Sequence, residues 1–109
     1  MSYRQLDLIE KIKKDFFAQD SFLLKETSNY ATDLAVKDFD KGTAKIAILA
    51  YALSKISSKQ HMQTNPAWPK AKNRIIFFLE ECSEILRKNK QQELEKKLDK
   101  IEKSVKQVD

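Results

Sequence analysis

The chain has 109 residues, is 41% apolar and 34% charged, and carries a formal charge of +5. This length accommodates one domain with one hydrophobic core, and the composition is not that of a disordered, collagenous or membrane-embedded chain. One glycine and two prolines supply few of the tight turns that a sheet protein needs, so the expectation is a small number of long helices.

The first segment spans about Tyr3 to Phe39. Ser2, with Gln5 three residues on, is a capping-box start. Leu6, Ile9, Ile12 and Phe16 follow at helical spacing, and Leu23, Thr27, Tyr30 and Leu34 continue the stripe. Asp20-Ser21 lies between the halves and could cap a second helix. One long helix and two shorter ones both fit. Gly42 stands where a left-handed residue would close the segment, with Thr43 behind it as an N-cap.

The next helix is expected from about Ala44 to His61. Its middle, Ile46 to Leu53, is apolar nearly all round, which predicts a central helix touched by all the others. Ala47, Ala50 and Ala52 would permit close helix approach. Both prolines fall in the loop Gln63 to Pro69, beside Trp68, which is expected to plug one end of the bundle. A third long helix, about Lys70 to Lys88, carries Ile75, Phe78, Leu79, Cys82, Ile85 and Leu86 as its stripe. Beyond it Leu94, Leu98, Ile101, Val105 and Val108 form a heptad seam. The seam is out of register with Leu86, so a break is expected near Asn89 to Gln92.

The expected fold is therefore all-α: a four- to five-helix bundle with a fully apolar central helix and a C-terminal amphipathic helix. Residues 1–90 would form the core and 91–109 the amphipathic helix of the same domain.

Little in the sequence points to chemistry. The single cysteine, Cys82, excludes an intrachain disulfide and falls on an apolar stripe, where a buried inert thiol is the expectation. His61 is the only histidine, so zinc-type ligation has no ligand set and no metal is expected. One glycine excludes a glycine-rich phosphate loop, and no cofactor is expected. Glu80, Glu81 and Glu84 lie mostly away from the apolar stripe, as a solvated face does. The longest apolar stretch is far short of a membrane span, and the first residues lack the apolar run of a signal peptide, so the cytoplasm is the expected compartment.

Two surfaces remain as candidates. Lys55, Lys59 and His61 end the apolar helix, while Lys70, Lys72 and Arg74 begin the next, so the six could form a polyanion contact at one end of the bundle. Leu94, Leu98, Ile101 and Val105 form a seam that must dock on its own bundle, on a second copy, or on another protein.

The run Tyr30-Ala31…Leu34-Ala35…Phe39-Asp40-Lys41-Gly42…Ala47…Ala50-Tyr51-Ala52-Leu53 resembles the first helix pair of HEPN-type domains. That resemblance implies a four-helix bundle of a kind that is commonly dimeric and associated with RNA cleavage or toxin–antitoxin systems. The ribonuclease members carry an Arg, four to six residues, then a His. Here Lys55 takes the Arg place before His61, so the resemblance implies at most a catalytically inactive relative. The functional expectation is a non-enzymatic interaction module that associates through its C-terminal helix with a protein partner or with itself. The alternative is a nucleic-acid-binding module using the basic end.

Overall fold

The computed structural model describes residues 2–59 and 64–108. Among these the chain forms five helices and no strand: α1 (Ser2–Phe17), α2 (Ser21–Asp38), α3 (Lys41–Ser57), α4 (Trp68–Arg87) and α5 (Gln91–Val108). The protein is an all-α bundle, and the first segment is two helices.

Local chemistry sets each boundary. Gln19 enters the left-handed region at φ 54, with Asp20 N–H bonding the Asp15 carbonyl and Gln19 N–H the Phe16 carbonyl. This is a left-handed helix end built without glycine. The Asp20 carboxylate then accepts from Leu23 N–H at 3.0 Å and starts α2. Asn89, at φ 56, ends α4 the same way, so the expected break falls at 88–90. The capping box expected at Ser2 lies outside the described side chains.

Gly42 is not a helix-ending residue. The left-handed position belongs to Phe39, at φ 52, and Asp40 rather than Thr43 is the N-cap, accepting from Gly42 N–H at 3.1 Å. Asp40 wins because its carboxylate also accepts from Thr43 Oγ1 at 2.7 Å and from Gln5 Nε2 at 3.0 Å. Gln91 Nε2 donates to Gln5 Oε1 at 2.7 Å, which ties α1, α3 and α5 together at one end.

Ion pairs show the directions of the helices. Lys41–Glu95 and Lys45–Asp99 step along α3 and α5 together, so these two run parallel. Ser83 bonds Glu10 and Lys72 bonds the Phe17 carbonyl, so α1 and α4 run antiparallel. α1, α3, α5 and α4 form a ring in that order, and α2 lies outside it against α1 and α3. Ile9, Ile12 and Phe16 meet Ile46, Leu49, Leu53, Ile75, Leu79, Leu94, Leu98 and Ile101 inside the ring.

The expectation for the apolar helix needs correction. α3 packs on α1, α2 and α5 but not on α4, and it is not covered on every side, since Ile48 and Tyr51 remain about half exposed. The reason lies in α2. It buries Leu24, Thr27, Ser28, Ala31 and Ala35, and Ser28 Oγ donates to the Ala47 carbonyl at 2.8 Å. Small side chains let two helices pack closely without inserting large ones. The buried stripe of α2 is therefore rotated from the expected Leu23–Thr27–Tyr30–Leu34 line, and Tyr30 is exposed.

Candidate functional site

The C-terminal seam is core. Leu94, Leu98, Ile101 and Val105 are 0, 2, 0 and 4% exposed, packed where α5 meets α3 and α4. This corrects the expectation that they form an association surface. Four apolar side chains on one line are satisfied most cheaply by the open side of the chain's own ring, and Lys41, Lys45 and Glu81 hold the polar flanks of α5 through Glu95, Asp99 and Lys97.

The basic residues are only partly gathered. The parallel run of α1 and α3 brings the α3 C-terminus to the end where α4 begins, so Lys55, Lys70 and Arg74 share that end, all exposed. Lys59 is half-buried and already engaged, and His61 lies outside the described residues. Lys72 is committed elsewhere, a correction to its place in the set. Its ammonium donates to the Phe17 carbonyl at 2.7 Å and to Gln19 Oε1 at 3.0 Å, and stands 5.3 Å from the Phe17 ring centre. A cation at the carbonyl end of α1 complements the helix dipole, and partial burial lowers the Lys72 pKa. Trp68 fills the role expected of it. It is buried and meets Phe16 edge-on at 6.0 Å.

The single thiol is sealed. Cys82 is buried, and desolvation pushes its thiol up to about 12. Among the described residues no three His, Cys, Asp or Glu side chains could hold a metal ion, and no helix is long and apolar enough to cross a membrane.

The surface that stands out lies between α2 and α3. Phe39 is 92% exposed, Val36 67%, Ile48 54% and Tyr51 48%. Val36, Phe39, Ala44 and Ile48, with Asp40 and Lys41 at one end, help line a groove of about 460 Å³. Exposed single apolar residues are ordinary, but Val36, Phe39 and Ile48 share one groove. Sequence reasoning missed this set because Ile48 and Tyr51 sit inside an apolar run that reads as core. The available signal was α2 itself, where Phe22, Tyr30 and Val36 fall off the Leu24–Ala31 line while small residues fall on it.

A second groove, of about 650 Å³, runs between α4 and α5, with Glu80, Glu81 and Glu84 on one wall and Lys96, Lys97 and Lys100 on the other. One ion pair crosses it. Lys97 pairs with Glu81 at 3.0 Å, and Lys97 and Lys100 both lie over the Phe78 ring.

Compared with known proteins, the chain matches no family model, no curated protein and no solved structure.

Proposed function

We propose that this chain is a non-enzymatic protein-interaction module that engages its partner through the α2–α3 face. Phe39 carries the reading. A bulky residue in the left-handed region costs on the order of 1 kcal/mol relative to glycine, and a ring 92% exposed contributes nothing to the chain's own core. Gln19 and Asn89 close α1 and α4 in the same left-handed conformation, so what sets Phe39 apart is a large apolar ring held in solvent at that position. Val36, Ile48 and Tyr51 extend the same face.

The test is Phe39→Gly. The expected result is a gain of roughly 0.5–1 kcal/mol in urea unfolding, as relieved strain outweighs the freer unfolded chain. The proteins that co-purify with the full chain from nuclease-treated extracts of its native cells should be lost at the same time. A destabilised variant, or an unchanged set of co-purifying proteins, contradicts the reading.

A second reading rests on Lys55, Lys70 and Arg74, exposed at one end of the bundle. It makes the chain a nucleic-acid-binding module and an inactive HEPN-like relative. RNA binding should then weaken with salt, and its salt dependence should flatten when these three become Glu. Indifference to the triple change removes this reading.

A further inference from the structure

We infer that a second copy of this chain docks on the α4–α5 face, the two copies being related by a twofold axis that runs parallel to these helices. The inference goes beyond the interaction reading above and concerns a different face. Phe77, Glu80 and Glu84 follow one another along the outer line of α4, and Lys96, Lys100 and Lys103 along that of α5. All six are exposed, Phe77 at 58%. The two helices are antiparallel, and the Glu81–Lys97 ion pair fixes their register. In that register Glu80 is level with the midpoint between Lys96 and Lys100. The ion pair uses up only Glu81 and Lys97. Among the described residues, Glu80, Lys96 and Lys103 have no side-chain hydrogen bond or ion pair. Lys100 stands 5.2 Å from the centre of the Phe78 ring, and Glu84 reaches only Arg87 of its own helix.

The arrangement of charge selects the occupant. A polyanion seated here meets the carboxylates of Glu80, Glu81 and Glu84, and a polycation meets Lys96, Lys97 and Lys100. An uncharged helix takes water from both rows and returns no hydrogen bond. The occupant must therefore carry a negative row beside a positive row, and the face itself is built that way. Two copies of one face stack about a twofold axis lying in the face, either across the helices or along them. An axis across the helices lays the glutamate row on the glutamate row. An axis along them lays α4 of each copy over α5 of the other at the same height. Glu80 then meets the partner's Lys96 and Lys100, and the Phe77 ring lies by the partner's Lys100 and Lys103. The face is roughly 27 Å long at the helical rise and about 20 Å wide, two helix diameters. Covering about 500 Å² of each copy reaches only the lower edge of specific interfaces, so the dimer is weak and exchanging.

Sedimentation of the full chain over a concentration series reaching about 1 mM tests this, with Glu80→Lys and Lys96→Glu as single variants. Both side chains are exposed and unpaired, so the fold does not depend on them. The chain should dimerise. Each single variant sets like charge against like and should dimerise at least about tenfold more weakly. An equimolar mixture of the two variants should regain the dimer, because each offers the charge that the other lacks. Ile48→Glu, on the other face, should leave the dimer unchanged, which separates this test from that of the interaction reading. A chain that stays monomeric, a dimer indifferent to both single variants, or weakened variants that do not recover on mixing overturns the inference. A dimer that Ile48→Glu dissociates also overturns it and puts self-association on the α2–α3 face.

Discussion

At Gly42 an added Cβ would stand 2.7 Å from Gln5 Nε2 and 3.1 Å from Gln91 Oε1. Both are ends of flexible side chains, yet Gln5 is held by Asp40, Thr43 and Gln91 at once. Gly42→Ala gains up to about 1 kcal/mol of helix propensity but displaces hydrogen bonds each worth about 1 kcal/mol. Net destabilisation by about 1 kcal/mol is expected in urea unfolding. In a Gln5→Ala background, where the space is free, the same change should stabilise. Cys82 offers a pH test. Its thiol is raised from 9.0 to about 12 by burial, so the folded chain keeps the proton that the unfolded chain loses. The stability from this group is fully present below pH 9 and is lost as pH rises toward about 12. Cys82→Ala should remove that part of the alkaline decline, as the difference between two urea series across this range. Burial of Cys82 was legible from its place on the α4 stripe. The role of Gly42 was not, because it depends on an amide 37 positions earlier and another 49 later.

The helices differ in how they hold the bundle. α5 is the most polar of them, yet it buries Leu94, Leu98, Ile101 and Val105. Leu98→Ala should cost about 2–4 kcal/mol by the large-to-small rule for core leucines. Ending the chain after Lys90 should abolish cooperative melting, because it strips apolar cover from both α3 and α4. Circular dichroism melts check both; a truncated chain that melts like the full one would show that α5 is not part of the core. The heptad spacing made the existence, register and start of α5 legible, but not where it docks. Periodicity identifies an apolar line, and only the ring of α1, α3 and α4 shows that the missing side is filled from within. The sequence left open whether α2 continues α1 or stands alone, and its phase was misread, since Ser28, Ala31 and Ala35 are poor markers of a buried face although they help form one.

For the whole molecule, an internal seam and an exposed groove give a division of labour. α4 and α5 complete the ring, while α2 and α3 pack through small residues and leave large ones outside. The all-α architecture followed from scarce glycine and proline together with helical periodicity. The exposed apolar face did not, because its members are scattered from Val36 to Tyr51 across two helices whose packing phase the sequence concealed. Site-directed photo-crosslinking in the native cells tests the division most directly, with a photoreactive residue placed at Ile48 in one chain and at Leu98 in another. The account predicts that Ile48 yields adducts to another protein, and that Leu98 yields only links within the chain. Intermolecular adducts from Leu98 and none from Ile48 would contradict it.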